Sequence, residues 1–496
     1  MATAIPSNTA SFTLAEIAAC SGGRISRGDA HTRVTGVVTD SRAIKPGELY
    51  VALRGERHDG HAFIAQAHGL GALAALVSDE SQAPAGLALV VVADTRRALG
   101  ELARLHRERW GGKLVAITGS AGKTTTKELT SAALRALGHR VLSTRGNLNN
   151  DIGLPMTLFG LGSQHDLAVV EMGTGGPGEI AWLAHVARPE AGVVTTVSLA
   201  HTERLGSIDG VADEKTALLR ALPSDGVAVY GADSPQLRAR RGNFAAHQCF
   251  GFGQTEGADL RLTRTELRPD MSTEVSYRLA NESSPRALEL GLCGTGAALD
   301  ALAALGVVLG LHDAQSLPAA AAGLREVQPL PGRMRPCASA QGALLIDDTY
   351  NANPASVTSS LGTLRELSRV RGGRAIAALA DMAELGEHAQ LEHERVGVLV
   401  VDLGLSDVFF CGADMAHAAK AARKEVKRRR AKGPHIEHFA DPLACVGELT
   451  RLLAAKDTVL IKGSRALAME RVVEALCPMT YSAAEQSSGS TPGASS

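Results

Sequence analysis

The sequence is poor in aromatic residues and has almost no net charge. Phe, Trp and Tyr make up only 3% of its 496 residues, so large stacking surfaces are scarce and we expect polar or charged recognition. The formal net charge is −1, and no global basic field favours nucleic acid. The basic run 424–432 contains no aromatic residue, and we interpret it as a solvated helix end or loop.

Cysteine patterns and membrane signals are also missing. The seven cysteines are scattered, and no C-x-x-C pair offers a zinc or redox site. An odd number without a framework is typical of a reducing compartment. The N-terminus lacks the basic start and apolar stretch of a signal peptide, and we find no apolar run long enough to span a bilayer. We therefore expect a cytoplasmic protein without membrane insertion, and a monomer as the default.

A chain of 496 residues is too long for a single hydrophobic core, and its length predicts about three domains. Up to residue 110, short β-like runs such as 49–53 mix with Ala-rich stretches such as 63–76, which we predict to be helical. From Lys113 onward strands alternate with helices, which predicts parallel βαβ units with ligands at the carboxyl ends of the strands. The predicted strands of this part are 114–118, 167–172, 192–197 and 226–230.

A proline-rich break at 327–336 precedes a second alternation of this kind. Its predicted strands are 343–346, 374–379, 407–411 and 458–461. We predict an α/β fold of three domains, the second a P-loop mononucleotide-binding domain with a parallel-rich sheet and the third Rossmann-like. The predicted limits are 1–110, 111–330 and 331–480, followed by a Ser/Gly/Ala-rich disordered tail at 481–496.

The clearest chemical signal is a glycine-rich turn between a strand and a helix. Small residues let backbone N–H groups close around phosphate oxygens, and a helix N-terminus adds partial positive charge. Lys123 can reach the β and γ phosphates, and the Thr124 hydroxyl can bind magnesium. Ile117 stands where a full Walker A motif needs Gly or Ala, so this is a shortened form. The predicted ATP-binding residues of the turn are Gly119, Ser120, Ala121, Gly122, Lys123, Thr124 and Thr125.

Three more polar residues follow in the order that a metal-assisted phosphate site needs. Glu171 ends a predicted strand, His201 follows the next strand, and Lys215 lies on the helix behind it. Any one of them alone is more often a solvated or structural residue. The ordered set of Lys123, Glu171, His201 and Lys215 is therefore the informative feature.

At this point the sequence resembles the Mur ligase family over residues 12–478. The segment YNANP is the most discriminating, since sibling ligases and folylpolyglutamate synthases differ there. It favours the members whose amino donor is D-alanyl-D-alanine. The matching segments are 39–63, 118–128, 146–158, 169–173, 200–207, 346–357, 381–388 and 461–470.

The resemblance implies an ATP-dependent peptide ligase of peptidoglycan synthesis. ATP would phosphorylate the terminal carboxylate of UDP-N-acetylmuramoyl-tripeptide, and the amino group of D-alanyl-D-alanine would attack the acyl phosphate. Two magnesium ions are implied, with Thr124 and Glu171 matching the ligands of one and His201 a ligand of the other. Lys215 matches the family's carbamylated lysine, an anionic oxygen ligand of the kind magnesium prefers.

The resemblance also implies the remaining contacts. Arg333, Asp348, Tyr350 and Asn351 match contacts to ATP from the last domain, although the asparagines beside Pro354 would also suit a turn. In the first domain, the uridine diphosphate site, Ser41 and Arg42 are expected at the diphosphate. The other expected substrate contacts are Asn149 and Asn150 at the muramoyl-peptide, and Lys462 and Arg465 at acidic groups of the dipeptide or the tripeptide.

The segment 294–306 departs from the family pattern G-x-H-N-x-x-N. Gly296, Ala297 and Asp300 occupy the three polar positions. An asparagine both accepts and donates, whereas Asp300 retains only the accepting half. We therefore expect adenine to be bound more weakly, or with help from Asn147. Gly231 is a second departure, where the family often has Asn.

Three alternatives remain at this point. The nearest is another Mur-type ligase with a different amino donor, against which YNANP argues. A phosphate-loop kinase or ATPase leaves Lys215 and the first domain unexplained. A nucleotide-binding protein without catalysis is suggested only by the altered segment 294–306. The sequence does not distinguish lysine from diaminopimelate as the third residue of the tripeptide.

Overall fold

The computed structural model describes residues 3–55, 58–199, 202–430 and 433–477. Its strands form four sheets, a small antiparallel pair and three larger sheets that follow one another along the chain. The predicted α/β class is confirmed, with three successive α/β bodies. The predicted domain limits stay a prediction.

The first body contains the antiparallel pair β1–β3 and a five-stranded sheet in the order β2-β7-β6-β5-β4. Strands β4 to β7 are parallel, and β2 runs antiparallel to β7. The elements are β1 Ser11–Thr13, α1 Leu14–Ser21, β2 Arg24–Arg27, β3 Arg33–Thr35, β4 Val37–Val38, β5 Leu49–Val51, α2 Ile64–Gly69, β6 Ala74–Val77, β7 Ala88–Val91 and α3 Thr95–Trp110.

The central body is built on a nine-stranded sheet in the order β16-β15-β14-β13-β12-β11-β8-β10-β9. The elements are β8 Lys113–Thr118, α4 Lys123–Ala136, β9 Val141–Ser143, α5 Gly153–Leu158, β10 Leu167–Glu171, α6 Glu179–Ala187, β11 Ala191–Val194, α7 Thr202–Leu205, α8 Ile208–Arg220, β12 Val227–Gly231, α9 Pro235–Arg240, β13 Gln248–Gly253, β14 Leu260–Leu267, β15 Thr273–Leu279, β16 Arg286–Leu290, α10 Gly294–Leu311 and α11 Leu317–Arg325.

The third body has a six-stranded sheet in the order β17-β18-β22-β19-β20-β21, parallel except for β17 at the edge. The elements are β17 Arg335–Ala338, β18 Leu344–Asp348, α12 Pro354–Arg371, β19 Ala375–Ala380, α13 Ala389–Asp402, β20 Asp407–Cys411, α14 Met415–Arg429, β21 His435–Phe439, α15 Cys445–Leu452, β22 Thr458–Lys462 and α16 Glu470–Leu476.

Strand order places the polar residues of the central body together. β8 lies between β10 and β11, and all three strands are parallel. They are continuous apolar runs because helices cover both faces of a parallel sheet. Their carboxyl ends therefore meet at one edge, where Glu171 ends β10 and the glycine-rich turn follows β8. In the third sheet, Asp348 and Lys462 are direct register partners at the ends of β18 and β22.

Two sequence predictions are wrong. Residues 63–76 are not one helix: α2 ends at Gly69 and β6 begins at Ala74, because Gly71 adopts a positive φ of 104° between them. The statement that no apolar run could span a bilayer also fails for α10, which has 18 residues and a mean hydropathy of 1.7. Most of α10 is buried against α4, β13 and β14, as in the core helix of a globular body.

Candidate active site

The glycine-rich turn is fixed by two glycines that cannot carry a side chain. Gly119 and Gly122 have φ values of 152° and 82°, which favour glycine. A Cβ on Gly119 would lie 1.8 Å from Thr195 Oγ1, and one on Gly122 would lie 2.3 Å from Asp300 Oδ1. The turn is therefore held tightly between β11 and α10.

The carbonyl groups of this turn are bound to side chains, while the helix end is open. Lys123 Nζ donates to the Gly119 oxygen at 2.8 Å, and Asn353 Nδ2 donates to the Ser120 oxygen at 3.1 Å. α4 begins without a side-chain cap from the described residues. The N–H groups of its first turn are thus available to an anion such as a phosphate.

Glu171 is almost fully buried and receives two side-chain hydrogen bonds. Thr124 Oγ1 donates to its Oε2 and Asn149 Nδ2 to its Oε1, both at 2.7 Å. The hydroxyl and the carboxylate lie next to the glycine-rich turn of residues 119–125 (the phosphate turn). They supply oxygen donors, the type that magnesium prefers. Asn149, expected at the muramoyl-peptide, thus orients Glu171.

Lys215 lies on α8 with only 1% of its surface exposed. Burial, and to a lesser extent the charge of nearby Lys123, lower the pKa of its amine to about 7, against the opposing effect of Glu214. Glu214 also accepts hydrogen bonds from the backbone of Gly178 and Ile180 at 2.7 Å. A large fraction of Lys215 is therefore a neutral amine near pH 7.

Only part of the predicted metal ligand set lies within the described residues. His201, the predicted ligand of the second magnesium ion, lies outside the described residues. Among the described ranges, no group of three His, Cys, Asp or Glu side chains is arranged to hold a metal. Thr124 and Glu171 are the two predicted ligands that touch each other.

Asp300 projects from α10 against the phosphate turn. Thr126 Oγ1 donates to its Oδ1 at 3.0 Å. Burial raises the pKa of Asp300 to about 8, while the Thr126 hydrogen bond and the charge of Arg333 act in the opposite direction. Below that pH the acid is neutral and regains a donor, so the expectation of an acceptor-only group is not met at neutral pH.

Polar groups from the third body face the turn. Lys462 Nζ donates to Asp348 Oδ2 at 2.7 Å and to the Asn351 oxygen at 3.0 Å. The Arg333 guanidinium lies 4.0 Å from the centre of the Tyr350 ring, a cation–π distance. Lys462 is buried in an ion pair, which does not fit the expected contact with a substrate carboxylate.

Most of these groups line one cavity of about 610 Å³, within the size range of small-molecule sites, whereas Gly119 and Lys215 are not part of its wall. The central body and the third body both line it. The predicted residues along its wall are Ser120, Ala121, Gly122, Lys123, Thr124, Thr125, Asn149, Asn150, Glu171, Asp300, Arg333, Asp348, Tyr350, Asn351 and Lys462.

Other predicted residues lie away from this wall. Asn147 is exposed, and its backbone contacts Thr3 rather than the cavity. Ser41 is buried against Gln66 in the first body, and Arg42 is exposed beside Asp40.

Arg465 is more than half exposed and pairs with Glu470 at 2.9 Å. Sequence reasoning missed the roles of Asn353 at the Ser120 carbonyl and of Thr126 at Asp300. The N-P-x-S spacing after YNA was a sign that Asn353 caps a helix, but its contact with the phosphate turn spans 233 residues and leaves no local signal.

Family models match three successive parts of the chain. Residues 33–107 match the catalytic domain of the Mur ligase family, residues 117–308 the Mur ligase middle domain, and residues 332–465 the glutamate ligase domain of Mur ligases. The three matches follow the order of the three larger sheets.

Known proteins resemble the whole chain. UDP-N-acetylmuramoyl-tripeptide–D-alanyl-D-alanine ligase of Escherichia coli is 38% identical over 89% of this chain and 93% of its own length. A crystal structure of MurF from Acinetobacter baumannii superposes with a TM-score of 0.82 and 30% identity, covering 95% of this chain and 99% of that one. MurF from Thermotoga maritima, solved in complex with ADP, gives 0.77 and 28%, covering 89% and 96%. The chain therefore belongs to the Mur ligase family, and within it to the MurF type.

Proposed function

We propose that this chain uses ATP to join D-alanyl-D-alanine to UDP-N-acetylmuramoyl-tripeptide, forming the pentapeptide precursor of peptidoglycan. The observation that carries the proposal is the shared cavity, because a phosphate turn from one sheet and the strand ends of another line it together. The names of the relatives supply the substrates. A biosynthetic role of this kind fits the cytoplasm.

The reaction requires two anions to meet. The tripeptide carboxylate attacks the γ-phosphorus of ATP, which breaks the bond to ADP and gives an acyl phosphate. The amine of D-alanyl-D-alanine then attacks the acyl carbon, and the tetrahedral intermediate collapses to an amide with loss of phosphate and a proton. We assign Lys123 to neutralise the transferring phosphoryl group, and the first N–H groups of α4 to bind the phosphate chain.

Magnesium fits the residues at the head of α4. Thr124 and Glu171 present a hydroxyl and a carboxylate that already touch, beside the turn that would hold the phosphates. We propose that these two residues hold one ion, and that His201 and Lys215 contribute to a second. When bound, the ions neutralise phosphate charge. Asn149 keeps the Glu171 carboxylate oriented.

We propose that Lys215 becomes carbamylated. Its burial and its lowered pKa leave a neutral amine that can add carbon dioxide. Lys215→Ala should lower kcat roughly a hundredfold while the protein stays folded, as loss of a metal-shell ligand does. The intact mass of the protein, measured under carbon dioxide, should increase by one carbon dioxide in the wild type and stay unchanged in Lys215→Ala. Full activity of Lys215→Ala would contradict the assignment.

The remaining contacts are proposed by location. Ser41 and Arg42 of the first body are assigned to the uridine diphosphate, since the exposed guanidinium of Arg42 can turn towards an anion. Asn150 and the exposed Arg465 are assigned to the peptide parts of the substrates. Lys462 is assigned to the loop after β18 instead.

The test is phosphate release from ATP by the purified protein, with UDP-N-acetylmuramoyl-tripeptide and D-alanyl-D-alanine added singly and together. We expect release only with both substrates, and a pentapeptide product by mass spectrometry. Release with a different amino compound would mean that the chain is a Mur-type ligase with another amino donor. Release without an acceptor carboxylate would favour an ATPase.

A further inference from the structure

Asn353 uses both ends of its side-chain amide. Its Oδ1 accepts from the backbone N–H of Ser356 at 2.9 Å, which caps α12. Its Nδ2 donates to the Ser120 oxygen in the phosphate turn at 3.1 Å. The two partners fix the orientation of the amide, because a backbone N–H requires an acceptor and a carbonyl requires a donor.

The contact with Ser120 joins two bodies at the centre of the cavity. Ser120 is 7% exposed, and its backbone N–H already donates to the Thr196 oxygen at 2.9 Å. A buried carbonyl that loses its donor costs free energy, so the position of α12 and the shape of the turn are coupled.

The loop that carries Asn353 is itself anchored. Lys462 binds both the Asp348 carboxylate and the Asn351 oxygen, and Ser360 Oγ donates to the same Asp348 oxygen at 2.7 Å. The segment between β18 and α12 is thus fixed at both ends. The anchored segment therefore holds the Asn353 amide in position to bind the phosphate turn.

We propose that Asn353 is a positioning residue that couples the position of the third body to the shape of the phosphate turn. In this role it acts through the Ser120 carbonyl. This role rests on the proposed function, because nucleotide must bind in the shared cavity for the coupling to matter. The consequence is nucleotide affinity that depends on one neutral amide donor.

The decisive variant is Asn353→Ser, since serine caps helices about as well as asparagine but does not reach Ser120 with a donor. We expect the KM for ATP and the Kd for ADP to rise roughly three- to tenfold, as for one lost hydrogen bond. The KM for D-alanyl-D-alanine should stay unchanged, and the unfolding midpoint should fall only by the small amount expected for one lost hydrogen bond.

The matched control weakens α12 at its far end. Gly372 ends the helix with a φ of 72° and has no atom within 4 Å of an added Cβ, so Gly372→Ala strains only the backbone. It should lower the unfolding midpoint and leave both nucleotide constants unchanged. Equal nucleotide constants in Asn353→Ser and wild type would overturn the proposal, as would an equal loss in Gly372→Ala. If wild type made no pentapeptide yet Asn353→Ser weakened ADP binding, the proposed function would fail and the coupling would stand.

Discussion

Two lysines line the same cavity from opposite sides and are held in opposite ways. Lys123 donates to a backbone carbonyl, and no carboxylate of the described residues lies within ion-pair distance of its Nζ. Lys462 is bound to the Asp348 carboxylate, and only 3% of its side chain is exposed. The central side therefore holds the positive charge of Lys123 in reserve for a ligand, while the charge of Lys462 in the third body is already neutralised.

This difference separates chemistry from positioning. Burial lowers the pKa of Lys123, as expected for a cation without a counter-ion, although Glu171 partly offsets the shift. A phosphate chain in the turn would supply the missing negative charge. The Asp348–Lys462 pair instead fixes the loop that follows β18. Substitutions on the two sides should therefore affect different measurements.

The largest effect is expected for Lys123→Ala. Loss of the reserved charge should lower kcat/KM about a thousandfold or more, since phosphoryl transfer depends on charge stabilisation. The unfolding midpoint should fall only slightly, because the lysine leaves no ion-pair partner behind and only its hydrogen bond to the Gly119 oxygen is lost. Coupled phosphate release and a thermal scan test both points. Lys113→Ala, which removes an exposed lysine from the start of β8, should match wild type; a comparable loss there would break the comparison.

Lys462→Met should act on stability first. It leaves the buried Asp348 carboxylate without its cation, which costs about 3–5 kcal/mol. A urea titration of the purified protein should show a lower midpoint. Asp348→Asn combined with Lys462→Met should recover much of this loss, since both charges are then gone. Unchanged stability in the single variant would mean that Lys462 is also held in reserve.

Asp300→Asn tests a third kind of charge, an acid kept neutral by burial. The pKa of Asp300 is raised to about 8 in the folded chain, so folding retains a proton that the unfolded chain releases above about pH 4. Wild-type stability should thus fall relative to Asp300→Asn as pH rises from about 4 to about 8, by at most about 1.4 kcal/mol per pH unit. Above about pH 8 the difference should stay constant.

Asp313→Asn provides the opposite sign. Hydrogen bonds from Ser316 lower the pKa of this exposed carboxyl, so its contribution to stability is present above its ordinary pKa and is lost in acid. In unfolding scans from about pH 2 to about pH 9, wild-type stability should therefore rise relative to Asp313→Asn only up to about pH 4, and fall relative to Asp300→Asn between about pH 4 and about pH 8. If the stabilities of wild type and Asp300→Asn differed by a constant amount between about pH 4 and about pH 8, Asp300 would be ionised in the folded protein.

The predicted strands and the phosphate turn agree closely with the structure. β20 was predicted with its bounds of 407–411, and β10, β12 and β22 within one residue at each end. These segments are apolar runs between clear turn residues, so their signal is local. The antiparallel strands β14–β16 and the edge strand β21 were not predicted, because polar residues interrupt their apolar ones and weaken that signal.

Part of the site was readable for the same reason. The glycine-rich turn, Lys123, Thr124 and Glu171 each stand beside a strand end in the sequence, and parallel strands place such ends together. Asn147 and Lys462 illustrate the limit. Asn147 was expected at adenine, and Lys462 at acidic groups of the substrates. Asn147 is instead exposed away from the cavity, and Lys462 is bound to Asp348 in an ion pair.

The sequence by itself determined the three-body α/β architecture, the phosphate turn and the family, because these depend on short apolar runs and on motifs with fixed spacing. Only the tertiary structure decided which charges are spare and which are paired. The pKa values of Asp300 and Lys215, the Lys462–Asp348 pair and the Asn353–Ser120 contact all depend on burial and on partners distant in the chain. Desolvation and hydrogen bonding act through space, and local sequence does not encode them.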